Sequence, residues 1–152
     1  MVYDVLLQQA DPVKVFEMTM PTSVKGLYTD GIIWINKNLS TLAAKRCVLA
    51  EELGHHHTSY GDILDQDNVS SVKQEKRARE WAYVELVPIK AFVEAHKLGI
   101  RNKYELADHI DVTEEFLDES IEFYQRKFGN CTTYNKKYII YLEPLGVLEL
   151  FE

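Results

Sequence analysis

Cysteine is scarce in this chain. Cys47 and Cys131 are the only two, they stand far apart, and no C-x-x-C pair occurs, so neither a disulfide framework nor a cysteine redox motif is expected. With no export signal in view, both are expected to be reduced, Cys47 as a packed helix residue. Long apolar runs are missing as well. No stretch approaches the ~18 residues of a membrane span, and no apolar N-terminal run follows basic residues, so a cytoplasmic protein without membrane contact is expected. Positive charge is in deficit: Lys and Arg number 17 against 24 Asp and Glu, a net charge of −7. That balance argues against direct nucleic-acid binding, because phosphate contacts need clustered cations. Repeats, low-complexity segments and clear linkers are also lacking. What remains, 152 residues of which 46% are hydrophobic, is ample for one domain with a real core.

Local patterns predict the order of elements. Val2 to Gln9 reads as a short helix that ends before Asp11-Pro12. Val15 to Met18 and Gly26 to Thr29 read as short strands. Asp30-Gly31 is a hairpin turn signal, followed by the β-forming run Ile32-Ile33-Trp34-Ile35-Asn36. A helix is expected from about Thr41 to His57, with Ser40 or Thr41 as N-cap and Leu42, Leu49 and Leu53 among its buried residues. A loop with Gly61 and Asn68 follows, then a helix from about Val69 to Leu86. Pro88 marks the start of the next helix, Ile89–Leu98. Helical patterns recur at Lys103–His109 and Thr113–Lys127. Gly129-Asn130 breaks the pattern, and Tyr138–Leu142 reads as a late strand before an acidic, apolar tail. The expected fold is α+β, a small antiparallel sheet packed with a mainly helical body.

Chemistry concentrates at Glu51-Glu52-Leu53-Gly54-His55, one substitution from the HExxH zinc-protease motif. HExxH works because residues four apart share one helix face, so two ligands reach one metal. The Glu after the first ligand can then take a proton from the attacking water. Glu52 and His55 keep the base and second-ligand positions, while Glu51 stands where the first His belongs. Cys47, Glu51 and His55 share a stripe at this spacing. A catalytic zinc usually has a third protein ligand, and Glu75, twenty residues after His55, opens Glu75-x-x-Ala78 on the following helix. Small Ala78 would let the two helices approach closely. The alternative for Glu75 is a solvated position on a face carrying Lys73, Lys76, Arg77 and Arg79. His56 and His57 cannot join His55 on one metal from an undistorted helix, because adjacent residues point about 100° apart. They read as half-exposed helix-end residues favoured by the helix dipole. Tyr60 and Tyr83 carry hydroxyls suited to a tetrahedral intermediate but read as packing residues.

Leu49-Ala50-Glu51-Glu52-Leu53-Gly54-His55-His56, with the Glu75-x-x-Ala78 helix and the Pro88 boundary, resembles the ImmA/IrrE-type metallopeptidases often encoded by phages and integrative elements of Firmicutes. The likeness extends over nearly the whole chain, through Lys25-Gly26-Leu27-Tyr28 upstream and Lys103–Ala107 with Val112–Phe116 downstream. It implies a gluzincin-like, minimal zincin core in a single domain, with sheet and metal-site helices over about 1–87 and a helical subregion with a terminal strand over about 88–152. It further implies a cytosolic endopeptidase that cuts, or relieves, a helix-turn-helix repressor of a mobile element. Carried over by position, Glu52 is the general base and Glu51, His55 and Glu75 are the metal ligands. Zinc is the expected metal. Two carboxylates in the ligand set weaken its Lewis acidity and admit Mn²⁺ or another divalent ion. Arg79 stands where related gluzincins often carry an acidic residue behind the alanine.

Two further expectations complete the reading. The edge of the sheet around Ile32–Asn36 is expected to align an extended substrate as an added strand. Tyr104 to Thr113 has the spacing of a helix-turn-helix, but the helix after it carries Glu114, Glu115, Asp118, Glu119 and Glu122, which repel phosphate. Two core-packing helices are expected there, their acidic face suited to a basic protein partner. The alternative to an enzyme is a catalytically inactive member of the fold that binds a repressor or a toxin-antitoxin partner.

Overall fold

The computed structural model describes residues 2–10, 12–59 and 71–151. Its elements in chain order are α1 (Val2–Gln9), β1 (Lys14–Met18), β2 (Gly26–Thr29), β3 (Ile32–Asn36), α2 (Leu42–Ser59), α3 (Ser71–Leu86), α4 (Ile89–Lys97), α5 (Lys103–Ile110), α6 (Glu114–Phe128), β4 (Cys131–Tyr134), β5 (Tyr138–Leu142) and β6 (Leu145–Glu149). They form two compact units, residues 1–82 and 83–152, with the division inside α3. The architecture is α+β, as expected. The loop containing Gly61 and Asn68, together with Tyr60 and the expected helix start at Val69, lies outside the described residues.

The amino-terminal unit is built on a three-stranded sheet of order β1-β3-β2. Asp30 (φ 47°) and Gly31 (φ 80°) make the left-handed turn that suits a two-residue hairpin. β2 and β3 therefore pair antiparallel, with Tyr28 opposite Ile33. β1 pairs parallel with β3, Phe16 opposite Trp34. This corrects the expectation that Ile32–Asn36 offers a sheet edge. β3 is the central strand, and β2 and β1 are the edges. Alternation sends Ile33 and Ile35 inward, both fully buried. Phe16, Met18 and Leu27 remain about half exposed.

Helix α2 packs on this sheet and begins where capping chemistry dictates: the Thr41 hydroxyl accepts the Ala44 amide at 3.0 Å. Leu49, Ala50 and Leu53 are buried, whereas Leu42, on the first and solvent-facing turn, is 49% exposed rather than buried. Cys47 is buried and free, and Cys131 is exposed and free. Lys45 joins α2 to β1 through Glu17 at 2.6 Å, and Tyr3 of α1 donates to the same carboxylate at 3.3 Å.

In the carboxy-terminal unit, Pro88 is the N-cap of α4, Asn102 caps α5 by accepting the Glu105 amide, and Thr113 caps α6 by accepting the Phe116 amide. Glu114 and Glu115 occupy the first turn of α6, where carboxylates oppose the positive end of the helix dipole. A second sheet of order β4-β5-β6, antiparallel throughout, follows. β4 and β6 were not anticipated. Buried Leu117, Ile140 and Leu142 form the centre of this unit, and the Tyr124 hydroxyl donates to the Val87 carbonyl at 2.7 Å. Among the described residues no helix is long and apolar enough to cross a membrane.

Candidate metal centre

Glycine inside a helix costs about 1 kcal/mol relative to alanine, so Gly54 in the middle of α2 needs a reason. The reason is α3. A Cβ at position 54 would collide with the carbonyl oxygen of Ala78 and stand 3.0 Å from its Cα. The helices therefore meet backbone to backbone, with Gly54 and Ala78 both buried. Only small residues allow this. Ala78 is expected from the sequence to permit this approach; Gly54 is the other half of the contact, signalled in the sequence only by the cost of a glycine within a helix.

Close packing here brings side chains from two helices together. His55 Nε2 on α2 lies 3.2 Å from Glu75 Oε1 on α3. Two donors on one tetrahedral zinc, at bond lengths near 2.0 Å, stand about 3.3 Å apart. The pair thus has the spacing of ligands that share a metal. The second oxygen of Glu75 faces Arg79 Nε at 4.0 Å, so a cation stands behind the carboxylate where an acidic residue is common. Both partners are half exposed, and such a pair contributes little to stability. Among the described residues no three His, Cys, Asp or Glu side chains form a group ready to hold a metal ion. The structure thus brings His55 and Glu75 together without gathering Glu51 into a three-donor set with them.

Glu52 lies against the sheet. A Cβ on Gly26 of β2 would stand 3.2 Å from Glu52 Cγ and 2.7 Å from Val48 Cγ1, so β2 passes directly over Glu52. Burial raises the Glu52 carboxyl from 4.5 to about 7, with the charges of Glu51 and Glu75 adding to the shift. Glu51 and Glu75 both act electrostatically on this one group. A carboxyl poised near neutrality exchanges a proton readily in either direction.

The neighbouring histidines have other partners. The Gly31 amide donates to the Tyr28 hydroxyl oxygen at 3.3 Å, and that hydroxyl lies 2.7 Å from His56 Nδ1. Since the tyrosine oxygen already accepts, its proton is available to His56. Burial, with the charge of His57 second, lowers the His56 pKa. His57 stacks on Trp81 of α3, ring centroids 4.7 Å apart. Tyr83 donates its hydroxyl to Glu119 at 3.1 Å and packs on Phe116 and Phe123, in keeping with a packing residue.

The model of the peptidase M78 family, described as the IrrE N-terminal-like domain, matches residues 8–122. No curated protein matches the chain. Among solved structures, a Mycobacterium tuberculosis transcriptional regulator is similar in fold, with a TM-score of 0.57 at 15% identity over 79% of this chain. The present chain spans 39% of the length of that protein.

Proposed function

The chain belongs to the peptidase M78 family of IrrE N-terminal-like domains, and from that premise we propose that it is a metal-dependent endopeptidase acting on a protein substrate. The observation that carries the proposal is the 3.2 Å approach of His55 and Glu75 from two helices, together with the half-buried Glu52 carboxyl, which burial and the charges of Glu51 and Glu75 raise toward neutrality. His55 and Glu75 would hold the metal, and Glu51, on the same α2 stripe as His55, would complete the set. Zinc suits the imidazole, while the two carboxylates also suit Mn²⁺. When bound, the metal supplies Lewis acidity toward a water molecule and the scissile carbonyl.

The remaining steps fall to the protein's own groups. The Glu52 carboxylate removes a proton from the attacking water and then delivers it to the departing amine nitrogen. β2 is an edge strand lying over Glu52, so an extended peptide added along its outer edge would run past the base. Leu27 and Thr29, both exposed on β2, would flank it. The substrate class we assign is a helix-turn-helix repressor of a phage or other mobile element, recognised in the cytoplasm as protein without direct DNA contact.

One observation favours a second reading, a non-catalytic protein that binds a repressor or toxin-antitoxin partner. Among the described residues no three-donor group is formed. Two measurements separate the readings. Elemental analysis of protein purified without chelator should find about one zinc or manganese per chain, lost on His55→Ala. Glu52→Gln should retain that metal and abolish repressor cleavage. Metal-free protein whose Glu52→Gln form still relieves repression would establish the binding protein instead.

A further inference from the structure

The carboxy-terminal unit contains a cleft of about 310 Å³, bounded by α4, the α4–α5 connection, α5 and β6. None of its lining residues belongs to the metal centre. Phe92, Ile100, Leu106, Leu145 and Val147 give it apolar walls. Its volume lies at the lower end of the ~300–1,000 Å³ typical of small-molecule sites, which are likewise mostly apolar with a few placed polar groups.

The polar group here is Arg101. Its Nη1 stands 3.4 Å from both Nδ1 and the backbone oxygen of His96, another lining residue. Both contacts are long, and a guanidinium has five N–H donors to place. No ion pair among the described residues involves Arg101, whereas Lys45, Arg79 and Lys103 each face a carboxylate. The nearby Glu105 carboxylate is instead engaged by the Asn102 side-chain amide at 2.9 Å. With only these two long contacts, the Arg101 guanidinium has N–H donors to offer an anion at the edge of the apolar cleft. Arg, with its planar fork, is the side chain best matched to a carboxylate. From β6, Leu145 and Val147 line the cleft; they pair with the buried Leu142 and Ile140, so alternation sends all four to one face of the sheet.

We propose that this cleft binds a small amphipathic carboxylate, its apolar body against Phe92, Ile100, Leu106, Leu145 and Val147 and its carboxylate on the Arg101 guanidinium. The proposal is independent of peptidase activity.

Calorimetric titration of the full chain with octanoate and with 3-phenylpropionate tests it, octanamide serving as the uncharged control. At least one acid should bind saturably with one site per chain, and octanamide should bind at least about tenfold more weakly than octanoate. Arg101→Gln, a change at an exposed position, should weaken the acid by at least about tenfold while leaving octanamide unchanged. Val147→Trp, which fills the cleft from β6, should remove binding of both. Unchanged thermal unfolding of the ligand-free variants would show that the fold is retained. Failure of both acids to bind overturns the proposal. So does undiminished binding to Arg101→Gln, which still decides the matter if Val147→Trp fails to fold.

Discussion

His55 and Glu75 are twenty positions apart in the chain and 3.2 Å apart in space, Nε2 to Oε1. The close approach of the two helix backbones at Gly54 and Ala78 holds the pair together. If the pair holds a metal, His55→Ala and Glu75→Ala should each weaken zinc binding by at least about a hundredfold, or roughly 2.7 kcal/mol. Competition titration against a chromophoric chelator measures this. Affinity within a factor of two of the parent in either variant would place the metal elsewhere.

Gly54→Ala reverses a familiar sign. At an ordinary helix interior the change stabilises by about 1 kcal/mol. Here the added methyl overlaps the Ala78 carbonyl, and forcing the helices apart should cost about 1–3 kcal/mol and weaken zinc binding as well. Urea unfolding of the metal-free protein is the check. A more stable Gly54→Ala protein would mean that the helices are not in backbone contact.

Glu52 gives the metal-free protein a pH dependence of defined sign. Its folded pKa, about 7, lies above the ordinary 4.5. The preference for the protonated form therefore stabilises the fold fully below pH 4.5 and is lost as pH rises to 7. The loss is on the order of 3 kcal/mol. Glu52→Gln stays neutral, so after chelator treatment it should exceed the parent in stability at pH 8 and match it near pH 4.5. Equal pH profiles for the two proteins would refute the shift.

Tyr124 makes the corresponding prediction at alkaline pH for the carboxy-terminal unit. Burial raises its phenol from 10 to about 12, and the hydroxyl serves the Val87 carbonyl. Its contribution is complete below pH 10 and disappears as pH approaches 12, about 3 kcal/mol in all. Tyr124→Phe leaves the Val87 carbonyl unpaired, costs about 1–3 kcal/mol at pH 7, and should flatten the alkaline profile. Denaturant melts at pH 7 and pH 11 compare the two.

Elements signalled by local chemistry were legible in the sequence. The Asp30-Gly31 turn located β2 and β3, Thr41 located the start of α2, and Pro88 located α4. Leu42 was misassigned because apolar periodicity does not say where the first turn of a helix leaves the sheet it packs on. β4 and β6 escaped because they are short edge strands, one beside Gly129-Asn130 and the other broken by Gly146 between half-buried Leu145 and Val147. The parallel pairing of β1 with β3 escaped for a different reason: it depends on a contact across the hairpin, which no local pattern encodes. The same limit applies to the candidate metal centre. His55 and Glu75 could be paired from spacing, but the closeness of their helices depends on Gly54 meeting Ala78, which the sequence signals only through the cost of a glycine within a helix.

The hydrogen-bond chain from the Gly31 amide through the Tyr28 hydroxyl to His56 has a mechanical consequence. It bolts the tip of the β2–β3 hairpin to α2 one residue beyond His55, while Gly26 seats the other end of β2 on Val48 and Glu52. β2 is thus fastened to the helix at both ends and cannot slide along it without breaking a polar link or opening a packed contact. Any load applied to that edge strand is delivered to the turn of helix carrying His55, and the hairpin and α2 respond as one part.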